Sequence, residues 1–531
     1  MKMSRAIVAV SKFLTGAYAT IALLSCTSLN IVPVVETTSG PIQGQTSAKH
    51  PSVTEYLGIP FAKPPQGELR WRAPQPLERR QTLLKANKFG PACTQSRASV
   101  EWYEDVATAF GHGPEVAPQL PDISEDCLYL NVWAPANARD ALPILVWIHG
   151  GGNTEGWAFE PNYRGAALAS EGIIVISIAY RLDIFGYFSH PEMAEKEQAH
   201  IANFGLLDQI AALSWIKENA ASFGGDPNNI TVAGESAGAG NIGYLLAAPS
   251  AQNLFARSIH QSGSFELYDD HTLADVQKTA ETLLDDDQAV SASEQLEALR
   301  ALDAKQLLEI ALSKYPDEYA YPVADGSVLP STVLDFYEQQ KNSARQVLIG
   351  SNEDEWYMYI DPPVTQKTIN DWLLEQLPNA DHARINKLLA PYDSDRSRLD
   401  KLVGGQIFRC GGYYLAARNT EQQGDSWVYH FSRSRDGIGG DTLRAYHGAE
   451  IPYMFNTHDD WLPTNNEDIA LTKTMVGYWL NFIRQGNPNG TGLPVWPTYN
   501  EKDRAVQQLD VVTKSITAPQ AELCEFLMPN N

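Results

Sequence analysis

The chain has 531 residues, 44% hydrophobic and 20% charged, an ordinary composition for a globular protein with enough apolar surface for a large core. Its formal charge of −24 and its lack of basic runs exclude a phosphate-tracking surface, so nucleic acid is not expected as a partner. No internal repeat, low-complexity tract or long linker divides the sequence, which favours one large domain over several small ones.

The first element is a leader. MKMSRAIVAVSK carries Lys2, Arg5 and Lys12, and the apolar stretch FLTGAYATIALL follows it. That stretch is too short for a bilayer span, which takes about 20 residues, and has the pattern of a secretory signal. It ends in LLSC, which resembles the bacterial lipobox. Residues 1–25 are then expected to be removed, Cys26 to receive lipid, 26–34 to form a tether and 35–531 a single domain. Membrane contact is expected only through that lipid; a simple secreted form is the alternative. Removal takes three positive charges and leaves −27. Four cysteines remain, Cys93, Cys127, Cys410 and Cys524, none in a metal-binding spacing. Disulfides are the expectation for an exported chain, and arithmetic alone allows three pairings.

Further along, short β-rich runs alternate with helical patterns. Buried strands are expected at 144–150, 173–181, 230–236, 256–264, 346–355 and 427–434. The stretch 206–225 reads as a helix, with Leu206, Ile210, Leu213, Ile216 and Ala220 on one stripe before a glycine stop. Continuously apolar strands separated by helices imply an α/β fold, a mostly parallel sheet covered on both faces. In such sheets chemistry sits at the carboxyl ends of the strands, and the polar motifs fall there.

TVAGESAGAG (231–240) is strand, turn, then helix. Its Gly234-Glu235-Ser236-Ala237-Gly238 has the GxSxG pattern, in which a turn too tight for flanking side chains presents one serine hydroxyl. Gly238 to Gly243 also fits GxGxxG, but it lies past the turn, inside the helix, and the next strand ends without an acid for a ribose. A dinucleotide is therefore not expected. WIHGGGNTEG (147–156) places three glycines after a strand. The N–H groups of Gly151 and Gly152, with that of Ala237, are candidates to hold the oxyanion of a tetrahedral intermediate.

A serine hydroxyl needs a neutral imidazole, itself oriented by a carboxylate, and in this fold the order is Ser, acid, His. Downstream histidines are 260, 271, 382, 430, 447 and 458. His260 lies within an apolar strand, and His271, His382 and His458 lie in polar surroundings. His447, in AYHGAEIPY, follows the 427–434 strand by a loop and is the expected base. For the acid, GSNEDEW (350–356) offers Glu353, Asp354 and Glu355.

At this point the sequence resembles the type-B carboxylesterases, the cholinesterase-like branch of the α/β-hydrolases, over nearly all its mature length. FGGDPNNITVAGESAG (223–238) and EDCLYLNVW (125–133) match two family signatures, and YLGIPFAKPPQGELRW, YRLDIFGYF, NFGLLDQ, IRQGNPN and VWPTY match in order. The resemblance implies an α/β-hydrolase fold with helical insertions around the site, hydrolysis of small-molecule esters, and no cofactor or metal. Neither an HExxH motif nor a calcium loop at DDDQ (285–288) is present. By the family's N-x-D-E-G pattern Glu355 is the acid, and His447 matches its H-G-x-E segment. Ser262 resembles a supporting serine. The implied disulfides are Cys93–Cys127 and Cys410–Cys524.

Departures bear on the substrate. Trp356 stands where the family has glycine; the cation-holding tryptophan of the cholinesterases falls near Ala117; the acyl-pocket tryptophan is missing from FELYDD (265–270); and Asn153 replaces an aromatic. Asn153, Glu235 and Trp356 are the expected pocket residues, with no clear anchor for charge near Ser236 and no advantage for a quaternary ammonium group. Neutral esters of short to medium acyl chain are the expected substrates. A non-catalytic, neuroligin-like binding protein is the alternative, against which the presence of both Ser236 and His447 counts.

Overall fold

Strand Leu142–Ile148 shows how the sheet is built: Ile144, Val146 and Ile148 pack into one apolar layer, and Leu145 and Trp147 into the layer on the opposite face. All five are fully buried. Both faces of the strand are covered, which is why the run is apolar without alternation. The computed structural model describes residues 32–138, 141–196, 201–264, 271–284, 291–316, 319, 321–339 and 345–528. The leader, Cys26, 265–270 and 285–288 lie outside the described residues. Of the tether only 32–34 are described, and Val34 already pairs with Gln43 in a hairpin.

Among the described residues the central sheet has eleven strands: β1 (Gln45–Thr46), β2 (Val53–Pro60), β3 (Tyr129–Pro135), β4 (Leu142–Ile148), β5 (Ile174–Ile178), β6 (Gly225–Glu235), β7 (Arg257–Gln261), β8 (Gln346–Asn352), β9 (Asp425–Phe431), β10 (Ala505–Leu509) and β11 (Lys514–Thr517). Their order is β11-β10-β9-β8-β7-β6-β4-β5-β3-β2-β1. Strands β4 to β10 run parallel, and the remaining strands join the two edges antiparallel. All six expected strands lie in the parallel part. Of the antiparallel strands, β1 and β11 are short and largely exposed, while β2 and β3 are longer and mostly buried but are interrupted by Thr54, Glu55 and Asn131, so none carries a continuous apolar run.

The helix expected at 206–225 spans Phe204–Asn219, continues as a 3₁₀ turn to Phe223 and stops at Gly224. Its predicted stripe is buried, but so are Asp208 and Gln209 on the other side. Asp208 forms a buried double hydrogen bond with Arg181, so this helix is packed on nearly all sides. Both implied disulfides, Cys93–Cys127 and Cys410–Cys524, are present. Such bonds persist in oxidising, exported compartments. No helix among the described residues is long and apolar enough to cross a membrane.

Candidate active site

In-register pairing aligns the strand ends that carry the site. Glu235 lies opposite Gln261, Gln261 opposite Gly350, and Asn352 opposite Phe431. The next residues of these strands are Ser236, Ser262, the acid-rich turn and the path to His447, and the 150–152 loop leaves the end of β4 beside them.

Ser236 sits at φ 55°, ψ −128°, between β6 and the helix Ala237–Ala247. Such a conformation costs a non-glycine residue about 1–3 kcal/mol and persists only where its surroundings enforce it. They do: the Ser236 N–H donates to the Gln261 carbonyl at 2.9 Å, and its own carbonyl accepts from Gly240 N–H at 2.9 Å. A Cβ at Gly238 would collide with the Ile148 carbonyl, and one at Gly234 would lie 2.6 Å from the Gly238 carbonyl carbon. The two glycines of GxSxG are there because the helix start is pressed against the sheet. Ala237 opens that helix, where the first N–H groups have no intrahelical acceptor. Gly151 and Gly152 follow β4 at φ +93° and +61°.

Glu355 is completely buried. One carboxylate oxygen accepts the Asn352 N–H at 2.6 Å, and the other lies 2.7 Å from His447 Nδ1. Of the three acids in the row, only Glu355 reaches the imidazole in this way. Glu353 is partly exposed toward His430, and Asp354 bonds Lys401. The other face of His447 is fixed by Phe408, stacked at 4.5 Å between ring centroids. His447 Nε2 lies 3.2 Å from Glu235 Oε1.

Burial raises the Glu235 carboxyl to about 8. Burial alone would lower His447, but the neighbouring Glu235 charge and the hydrogen bond to Glu355 outweigh it and push the imidazole up to about 9. Turnover is therefore expected to fall as pH is lowered, with a midpoint above the ordinary imidazole value of about 6.5. Removing the negative neighbour should lower the His447 pKa, so Glu235→Gln should shift that limb to lower pH. A pH–rate profile of both proteins checks this; a flat profile between pH 5 and 8, or an unmoved limb in the variant, would contradict it.

Ser236, His447, Gly151, Gly152, Glu235 and Trp356 share one cavity of about 280 Å³. Asn153 does not line it. Its side chain is buried and accepts from Asn241 Nδ2 at 2.7 Å, so it supports the glycine loop from behind rather than shaping the pocket. Ala117 is also absent from the lining. A different residue supplies an aromatic, Trp102 from the helix Ala98–Ala109, which approaches Gly448. Tyr103, Tyr163 and Tyr359 add further aromatic wall. Against the expectation of no clear anchor near Ser236, the carboxyl groups of Glu155, Glu160 and Glu235 line the cavity and no lysine or arginine does so among the described residues, with burial favouring the neutral form of Glu160 and Glu235. Burial raises the Glu160 carboxyl, while Tyr103 Oη at 2.9 Å and Trp157 N–H at 3.0 Å donate to it. The sequence carries no signal for Trp102, Tyr103 or Glu160, because the helix 98–109 reaches the site through tertiary packing and Glu160 lies outside the glycine motif; Glu155, by contrast, stands within that motif.

Glu450 is the other residue left unassigned. It is fully buried beneath the site, where burial raises its carboxyl. Its oxygens accept from Gln261 Nε2 at 3.0 Å and Asn352 Nδ2 at 2.6 Å, which joins the ends of β7 and β8 to the His447 loop. Its signal was in plain view, three residues after His447. Ser262, at φ 49°, donates its N–H to the Gly350 carbonyl at 2.8 Å.

Sheet order and the strained serine turn define an α/β-hydrolase. The sequence profile of the carboxylesterase family matches residues 31–527, and the chain belongs to that family. It is 31% identical to carboxylesterase 1E of Rattus norvegicus over 518 residues, 90% of each chain. It is 32% identical to the fumonisin B1 esterase of Sphingopyxis macrogoltabida over 493 residues, covering 88% of this chain and 85% of the relative. Among solved structures, a carboxylesterase of Geobacillus stearothermophilus superposes with a TM-score of 0.80 at 30% identity, covering 93% of this chain and all of the other. A thermophilic PNB esterase does so at 0.79 and 31%, covering 94% and all of the other. The protein is an esterase.

Proposed function

We propose that the chain is a serine carboxylesterase whose nucleophile is Ser236, whose general base is His447 and whose orienting acid is Glu355. Ser236 Oγ attacks the ester carbonyl carbon while His447 Nε2 takes its proton. The oxyanion that forms is held by the N–H groups of Gly151, Gly152 and Ala237. Collapse breaks the bond to the alcohol oxygen, which leaves with the proton from His447, and the acyl group remains on Ser236. Water, deprotonated by His447, then attacks the acyl carbon; acid leaves and Ser236 is reprotonated. Glu355, at 2.7 Å from Nδ1, fixes the imidazole so that Nε2 is the acceptor. The observation that carries this reading is the 2.7 Å Glu355–His447 contact beside a serine on a strained turn, in one cavity.

Substrates are proposed to be neutral carboxylic esters of short to medium acyl chain. A cavity near 280 Å³ is at the small end for ligand sites, which run from about 300 to 1,000 Å³. The acidic lining disfavours anionic substrates, and amides have a worse leaving group. Trp102 and the carboxylates around it favour a second reading of the alcohol side, esters of cationic alcohols. A panel of esters varied separately in acyl and alcohol part tests both. Fast turnover of acetyl to hexanoyl p-nitrophenyl esters, and slow turnover of long-chain triglycerides, is expected. A many-fold lower KM for an ammonium alcohol than for its neutral isostere would select the second reading. No hydrolysis of any ester would contradict the function.

A further inference from the structure

Beneath the turn that bears Glu355 lies a buried lysine that the reaction scheme does not use. Lys401, on the helix Asp395–Gly404, is 1% exposed. Its ammonium donates to Asp354 Oδ1 at 2.8 Å, to Asp400 Oδ2 at 2.9 Å and to the Glu353 carbonyl at 2.5 Å. Asp400 in turn accepts the Trp356 N–H at 2.7 Å, so the turn is gripped on both sides of Glu355. Asp354 reaches the other way. Its N–H donates to the Ala445 carbonyl at 3.1 Å, and its Oδ2 accepts the Ala445 N–H at 3.4 Å, two residues before His447. One ammonium therefore ties together a helix, the acid-bearing turn and the base-bearing loop. The helix is close enough that a Cβ at Gly404 would lie 2.9 Å from the Glu355 Cβ.

A buried ion cluster of this kind is a poor source of stability, because desolvation offsets most of the attraction and apolar side chains pack as well. What it supplies is fixed geometry, since its three hydrogen bonds go to the acid turn and to the aspartate that holds it, while the Tyr392 ring lies 5.6 Å from the ammonium. We propose that Lys401 is a positioning residue for hydrolysis, acting through Asp354 and Asp400 to hold the Glu355 carboxylate against His447 Nδ1. The proposal rests on the assignment of Ser236, His447 and Glu355 made above. It also accounts for Trp356 in place of glycine: the residue has an ordinary right-handed backbone at φ −105°, and its N–H is held by Asp400.

The test compares the full-length protein with Lys401→Met and with Lys401→Met/Asp400→Asn. The double variant removes one charge of each sign and keeps an acceptor for Trp356, so it remains informative if the single variant does not fold. Competent sites are counted by labelling to completion with a small fluorophosphonate, and turnover of p-nitrophenyl acetate is expressed per labelled site. Misplacement of a catalytic group by about 1 Å can cost on the order of a hundredfold. Accordingly kcat per labelled site should fall by about ten- to a hundredfold while KM stays within about twofold. An unchanged kcat per labelled site, with only fewer labelled sites or a lower Tm, would reduce Lys401 to a stabilising residue and overturn the proposal. Turnover retained in Ser236→Ala would instead overturn the underlying assignment.

Discussion

Glu355→Gln should lower kcat by on the order of a thousandfold or more while the protein stays folded, by analogy with other triad carboxylates. The amide is nearly isosteric, so the Asn352 N–H can keep an acceptor. The loss falls on the other oxygen, 2.7 Å from His447 Nδ1. An amide group there either presents N–H to the imidazole, selecting the wrong tautomer, or accepts without the charge that stabilises the imidazolium. The neighbours separate the roles. Glu353→Gln should be close to neutral, because that carboxylate is 42% exposed and only approaches His430. Asp354→Asn should be intermediate, since it weakens the Lys401 brace without touching the imidazole. Turnover of a p-nitrophenyl ester, with circular dichroism as the check on folding, orders the three variants. Equal damage from Asp354→Asn and Glu355→Gln in folded proteins would contradict the assignment of the acid.

The parts of this site that were legible in the sequence are those fixed by local backbone demands. The serine turn announces itself because Gly234 and Gly238 must yield space to the sheet. The parallel strands are visible because burial on both faces leaves no room for polar alternation, as in Ile144 to Ile148. Glu355 and His447 follow from the order in which those strands deliver their ends, together with the family pattern. What the sequence hid depends on contacts between distant segments. Trp102 lies on a helix between the cysteines of the first disulfide, and nothing in its neighbourhood says that the helix folds over Gly448. Asn153 was misplaced for a related reason. Its position after the glycine triplet suggests a wall of the pocket, but its φ of +60° and its bond to Asn241 turn it inward. Lys401 reads as an unremarkable polar residue of a helix until the three-dimensional structure brings two aspartates to it.

The most direct test of the account is covalent labelling of Ser236. A fluorophosphonate reacts by attack of an activated hydroxyl on phosphorus with departure of fluoride, the same first step as acyl transfer. Among the serines of this chain, Ser236 stands on the strained turn that shares a cavity with His447. The account predicts one label per chain, on the peptide containing Gly234 to Gly238. It also predicts that Ser236→Ala abolishes labelling and lowers ester turnover by on the order of a millionfold, as in hydrolases whose triad acts as a unit. Labelling at another residue, or hydrolysis persisting well above background in folded Ser236→Ala, would contradict it.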